Sequence, residues 1–229
     1  MRDERESTAP PSPRTRVRRE PHRAIYDRAA IEAVLDSSLV CHLAFVDGDQ
    51  PFAVPTLHAR VGDVVYVHGS AASRALRTLG ASAPACLTVT VVDGLVLARS
   101  AFEHSVNYRS VLLLGSLRVI DDPVEKSAAL EAFTERLLPG RWAEVRRPTA
   151  QELAATSILA MPVDEASAKI RSGPPEDGDG PDGALPVWAG TVPLAATWEE
   201  PVPDPSLRAG IPLAPSVLAL LSQPGRQPG

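Results

Sequence analysis

Residues 41–77 read CHLAFVDGDQPFAVPTLHARVGDVVYVHGSAASRALR, and this stretch decides the fold. Leu39 to Val46, Pro51 to Val61 and Val64 to His68 are β-branched or apolar runs of strand length. Asp47-Gly48 and Gly62-Asp63 separate them with the dipeptides of tight hairpin turns. After His68 the period changes: Gly69 relaxes the backbone, and residues Ser70 to Gly80 carry helical spacing. Ser70 stands where an N-cap belongs, and Ser73, Arg74 and Arg77 fall on the first turns of that helix. Two readings are open for this junction. It is either an ordinary strand-turn-helix with surface arginines, or a phosphate socket in which free amides, a hydroxyl and guanidinium groups converge on the same oxygens.

Outward from this stretch the pattern extends in both directions. Tyr26 to Asp36 (YDRAAIEAVLD) places Ile31, Val34 and Leu35 on one helical face. Ala85 to Val92 and Leu95 to Phe102 read as two more strands joined at Asp93-Gly94, giving a three-hairpin meander with the Ser70 to Gly80 helix inserted. Arg109 to Ile120 (RSVLLLGSLRVI) is a longer strand in which Gly115 marks a bulge or bend. Asp122-Pro123 opens a helix whose apolar side is Ala128, Leu130, Phe133, Leu137 and Leu138, and Pro139-Gly140 stops it. Thr149 and Glu152 have capping-box spacing for a helix to Ala155, after which Ile158 to Val163 returns to strand. Leu185 to Leu194 looks like one more strand, and the Pro-rich tail beyond Pro201 is irregular.

These strands are apolar on both faces, which suits a sheet closed or packed on itself better than an open sheet with one wet face. The expected fold is mainly β (α+β), an antiparallel barrel with peripheral helices. At 229 residues and 44% hydrophobic content the chain can build a substantial core. The expected division is a basic arm over residues 1–22, a barrel domain over 23–172, a loop or linker over 173–184, and a final strand with tail over 185–229. Residues 1–23 hold seven arginines against four acidic groups and almost no large apolar residue, so the arm reads as disordered. Residues 173–184 (GPPEDGDGPDGA) have no capacity to pack.

The formal net charge of −5 argues against a surface built for nucleic acid. No apolar run approaches the ~18 residues of a membrane span, and the arm lacks a secretory apolar core, so a cytoplasmic protein is expected. Cys41 and Cys86 lie in apolar strands and suit two reduced thiols. No metal motif is present, and hairpin pairing across Gly62-Asp63 sets His58 opposite Val67 and places His58 and His68 on opposite sheet faces. The polar cluster His104-Ser105-Val106-Asn107-Tyr108-Arg109-Ser110 is too decorated for a minimal turn and is a candidate ligand loop, its Arg109 and Ser110 able to bind an anion. Trp188 could stack a planar ring or pack into the core.

Together, YDRAAIEAVLD, CHLAFVDGDQPFAVPTLHAR, YVHGSAASRALR, TVTVVDGLVLARSAFEHSVNYRSVLLLG and LPVWAG, in this order and spacing, resemble the pyridoxamine 5'-phosphate oxidase-like flavoproteins, in the branch of the nitroimidazole reductases. The resemblance spans roughly residues 23–194. It implies a split β-barrel homodimer with FMN at the subunit interface, deazaflavin or haem being alternatives. It also implies a phosphate site at Ser73 and Arg74 with Ser70 and His68 beside them, and a flavin-facing strand at Pro55-Thr56-Leu57. Asn107, Arg109 and Ser110 would help across the interface, and His104 or Tyr108 would donate a proton near the ring. The implied activity is oxidoreduction of a small molecule, with nitroaromatic or quinone reduction, or a non-catalytic flavin- or haem-binding module, as alternatives. The vitamin-processing oxidases hold pyridoxal phosphate with a C-terminal arginine and histidine; this chain has no histidine after His104.

Overall fold

The structure, a computed structural model, describes residues 9–222. The first helix, α1 (Arg28–Leu35), starts where Asp27 accepts a hydrogen bond from the Ala30 amide at 2.8 Å, and its buried face is Ile31, Val34 and Leu35. Strand β1 (Ala24–Ile25) precedes it, and β2 (Val40–Asp47), β3 (Gln50–Val61) and β4 (Val64–Ser70) follow. The first turn is Gly48-Asp49, one residue later than Asp47-Gly48, with Gly48 at φ 60°. The second is Gly62-Asp63 as expected, with Gly62 at φ 55°. These positive φ values are the reason glycine stands at both positions.

Helix α2 (Arg74–Gly80) leads to β5 (Pro84–Leu97), and here the sequence reading needs correction. Asp93-Gly94 is not a hairpin: β5 runs through it as one 14-residue strand, and its ladder with β6 (Ser105–Ser116) shifts register between Val92 and Gly94. Asp93 is the extra residue of a bulge, and the true turn is residues 98–104. Gly94 is required there by close approach, because a Cβ would lie 2.6 Å from the Val192 carbonyl oxygen. Gly115 pairs in register with Ala85; the break falls instead at buried Leu117, between β6 and β7 (Arg118–Val119).

Helix α3 (Pro123–Leu137) is capped by Asp122, but its buried residues are Ala129 and Phe133, while Ala128 and Leu137 face solvent. After α4 (Arg141–Glu144), α5 (Ala150–Ala155) carries the expected capping box between Thr149 and Glu152. Strands β8 (Thr156–Pro162) and β9 (Glu165–Arg171) follow; β9 carries no clear strand signal of its own, since Glu165, Lys169 and Arg171 dilute its apolar pattern. The strand expected over Leu185 to Leu194 is only β10 (Gly190–Pro193), paired with β5 beyond its bulge, and the tail holds a short helix, α6 (Pro215–Leu221).

The sheet order is β1-β9-β6-β5-β2-β3-β4-β8-β7, with every pairing antiparallel. The split lies in β3: residues Gln50–Leu57 pair with β2, whereas His58–Val61 pair with β4. Pro51 and Pro55 occupy the half of β3 that has a partner on one side only, the place where a strand tolerates a missing N–H. Leu35, Leu43, Leu87, Val89, Val111 and Leu113 fill the interior with near-zero exposure, each adding about 1.5–3 kcal/mol by burial. A second cluster of Ile120, Ala129, Ile158 and Ala160 seats α3 on the outer side of β4 and β8. The first eight residues of the arm lie outside the described residues. Farther along, Thr15 is buried, Arg14 pairs with Glu165, and the Val17 amide donates to Tyr26 Oη at 2.9 Å.

Candidate functional site

Cross-strand register sets Pro55, His42, Thr88 and Leu112 side by side on the outward face of β3, β2, β5 and β6. Val40 and Leu57 form the neighbouring pair, so this face is part apolar and open. Thr56 points the other way, opposite buried Cys41. Of the sequence-derived flavin strand, Pro55 and Leu57 therefore share one face and Thr56 does not.

The β4–α2 junction differs from expectation in its cap. Ser70 ends β4 opposite Thr156, and the residue at the cap position is Ser73, whose hydroxyl accepts from the Leu76 amide at 3.5 Å. The Ser73 amide is bonded to the Ser70 carbonyl, and the Ala72 amide donates to Ser70 Oγ at 3.2 Å. Arg74 is largely exposed, lying over the Phe52 ring at 4.3 Å with Asp47 3.7 Å away. Ser70, Ser73 and Arg74 are thus brought together. His68 is separated from them: its ring lies against Phe133 with centroids 4.2 Å apart, and burial beneath α3 lowers its pKa. His58 does fall opposite Val67, with Nε2 2.9 Å from the Leu35 carbonyl, and burial lowers its pKa too.

The second group assembles around the bulge. Arg109 grips the Asp93 carboxylate with Nε and Nη2 at 2.8–3.1 Å, so the cation expected to be free for a ligand is already matched. The chain itself sets this up, because the bulge projects Asp93 beside the strand that carries Arg109. Asn107 donates to the Gly173 carbonyl at 3.1 Å and accepts from Arg171 at 2.7 Å, while Ser110 Oγ donates to the Lys169 carbonyl at 3.2 Å. Tyr108 stands between Val92 and Arg171 in the ladder. His104 is exposed; its Nδ1 lies 2.8 Å from the Ser100 carbonyl, and Phe102 beside it is 91% exposed. The turn holding His104 is anchored by Asp177, which accepts from the Arg99 and Ser100 amides at 2.6 and 3.1 Å. Residues 173–184, read as unable to pack, thus supply a buried carboxylate. Nothing in their composition signals it, since the partners lie 77 and 78 positions away.

The two groups do not meet within one chain. Phe45, paired with Phe52 under Arg74, aligns through Ala85 with Gly115, six residues along β6 from Arg109. At about 3.3 Å per residue they stand roughly 20 Å apart. Among the described residues no set of three His, Cys, Asp or Glu side chains could hold a metal ion, and no helix is long and apolar enough to cross a membrane.

Similarity to known proteins agrees with the split sheet. The flavocytochrome Anf3 of Azotobacter vinelandii has 40% sequence identity, with 92% of this chain and 98% of that one covered and a TM-score of 0.87. A FAD and haem binding protein of Mycobacterium smegmatis has 42% identity over 86% of this chain and 97% of its own, with a TM-score of 0.83. A Bacteroides thetaiotaomicron protein named for 5-nitroimidazole antibiotic resistance shares the fold at 20% identity, covering 64% of this chain and 86% of its own with a TM-score of 0.55. No curated protein matches. The sequence profile described as pyridoxamine 5'-phosphate oxidase matches residues 27–170, and the chain belongs to that family of flavin-binding split-barrel proteins.

Proposed function

We propose that this protein is a flavin- and haem-binding redox protein, a flavocytochrome that works as a homodimer. The observation that carries this reading is identity of 40% and 42%, over most of both chains, to two proteins named for a flavocytochrome and for FAD and haem binding. In this reading FAD replaces the FMN expected from sequence. A bound flavin supplies hydride or two-electron chemistry and a haem one-electron chemistry.

The residues present fit both groups. Arg74 is a largely exposed guanidinium beside the Ser70 and Ser73 hydroxyls, the donor set for a flavin phosphate. Pro55 and Leu57 offer a wall for the ring. Asn107, Arg109 and Ser110 stand too far away to serve the same molecule from one chain; in the homodimer a second copy would bring them to it, Arg109 with its charge already matched by Asp93, and the exposed Val40, Leu112 and Val106 give that copy an apolar surface to cover. His104 suits haem iron: its Nδ1 is held by the Ser100 carbonyl, which fixes the tautomer, and Nε2 is left for a metal. Exposed Phe102 and Leu95 would cover an apolar macrocycle. Tyr108 is then the candidate proton donor. Cys41 and Cys86 are unpaired thiols, as in a reducing compartment, and we place the protein in the cytoplasm.

The test is the absorption spectrum of the purified full chain, followed by denaturation and chromatography of what is released. Flavin bands with a Soret band, and FAD in the supernatant, are expected. His104→Ala should lose the Soret band and keep the flavin. A colourless protein that takes up neither flavin nor haem would overturn the reading.

A further inference from the structure

We propose that the basic arm forms an anion pocket for the diphosphate of a dinucleotide, an inference that rests on the flavin reading above for its occupant. Arg16, Val17, Arg18 and Pro21 line an open cavity of about 400 Å³. Its walls are held in place from both ends: Arg14 is paired with Glu165 at the start of β9, and the Val17 amide is bonded to Tyr26 Oη beside β1. Thr15 between them is buried, its hydroxyl donating to the Ser12 carbonyl at 2.9 Å. The arm is therefore a built element that presents Arg16 and Arg18 to one cavity.

Most arginines of this molecule are matched, Arg74 by Asp47 at 3.7 Å among them, and beyond the arm Arg77 and Arg208 are the other exceptions among the described residues. Arg14, Arg23, Arg28, Arg60, Arg99, Arg109, Arg118, Arg141 and Arg146 each meet a carboxylate. Arg16, Arg18 and adjoining Arg19 make no ion pair or hydrogen bond among the described residues. The nearest acidic group in sequence, Glu20, already has Arg23 at 3.6 Å and His22 at 3.7 Å. Two guanidinium groups without a counter-charge that line one cavity favour a multiply charged anion between them. Guanidinium forks match the oxygens of phosphate groups, and a diphosphate carries two such groups on one compact anion that two flexible arginine side chains can hold together. Two sources share that chemistry: a nicotinamide dinucleotide that donates electrons to the protein, and its own FAD, which in the reading above sets its flavin-side phosphate at Arg74 and would turn only its second phosphate to the arm.

The experiment compares the full chain with Arg16→Ala/Arg18→Ala, using inorganic diphosphate as the first probe in low salt, followed by calorimetry. The native chain should bind it, and the double variant should bind at least about tenfold more weakly. Arg16→Lys/Arg18→Lys, which keeps the charge, should recover part of the loss. Flavin fluorescence then gives the affinities for FAD and FMN, and calorimetry that for NADPH. Weakened FAD with unchanged FMN assigns the pocket to the flavin, whereas weakened NADPH with unchanged FAD assigns it to the donor. If the double variant binds diphosphate and both dinucleotides as the native chain does, or if only diphosphate is affected, the dinucleotide pocket is overturned. A native chain that takes up no flavin removes the flavocytochrome reading, while the diphosphate and NADPH measurements still decide the pocket.

Discussion

Gly94→Ala is the substitution that most directly tests how the bulge region is put together. The Cβ it adds would lie 2.6 Å from the Val192 carbonyl oxygen and 3.0 Å from Pro193 Cα. Both are backbone atoms, so no side chain can swing aside and β10 must move away. That strand is held by pairing of Gly190–Pro193 with residues 94–97 of β5, and by the Leu194 amide bonded to the Asp93 carbonyl at 2.9 Å. Loosening about three hydrogen bonds of roughly 1 kcal/mol each, with some strain, puts the cost at about 2–4 kcal/mol. For a chain of this size that corresponds to a fall in Tm of about 5–15 °C. Thermal and urea unfolding give the global effect, and limited proteolysis between Leu185 and Glu200 reports whether β10 has detached. Gly180→Ala is the control, since nothing lies within 4 Å of its added Cβ and its φ is −100°. A Gly94→Ala protein with native Tm and native protease resistance would refute the close-packed account of the bulge.

Stability should fall as pH drops below about 6.5. Burial lowers the pKa of both His58 and His68, so the unfolded chain takes up protons that the folded one refuses. Their contribution is present above the unfolded value and is lost as pH falls through it, each group adding at most about 1.4 kcal/mol per pH unit; equal urea midpoints at pH 7.5 and 5.5 would contradict this. Phe133→Ala removes the ring that covers His68 and should cost about 3–5 kcal/mol. The His68 ring signals should then titrate closer to the ordinary histidine value, and an unaltered titration by NMR would show that Phe133 is not its cover. Asp177→Ala strands the Arg99 and Ser100 amides and should cost about 1–3 kcal/mol, with faster hydrogen exchange confined to residues 98–104.

Local chemistry accounts for what was legible in advance. The Gly62-Asp63 turn, the His58–Val67 pairing, the Ile31-Val34-Leu35 face and the Thr149–Glu152 box all depend on residues close in sequence. So does the family resemblance, which is carried by ordered strings. The misread elements are those where a distant segment overrides a local signal. Asp-Gly at 93–94 carries the chemistry of a hairpin turn, yet β6 and β10 flank it on both sides and hold it as a bulge within one strand. β9 has too little apolar pattern to announce itself and exists because β6 and β1 bond to it. The cap of α2 moved from Ser70 to Ser73 because the pairing of β4 with β8 extends through Ser70.

The same division runs through the candidate site. By itself the sequence determined an antiparallel β protein that resembles the pyridoxamine 5'-phosphate oxidase family, with a cluster of serines and arginines after the third long strand of its meander. The strands and turns follow from side-chain period and turn chemistry, which act over a few residues, and the family from the resemblance of ordered strings. Only the tertiary structure decided which of those groups are available. Arg109 is matched by Asp93, His68 is covered by Phe133, and His104 is oriented by the Ser100 carbonyl, while Arg16 and Arg18 are left facing a cavity. Availability depends on which charges and rings fold together from distant parts of the chain, and no local pattern encodes it.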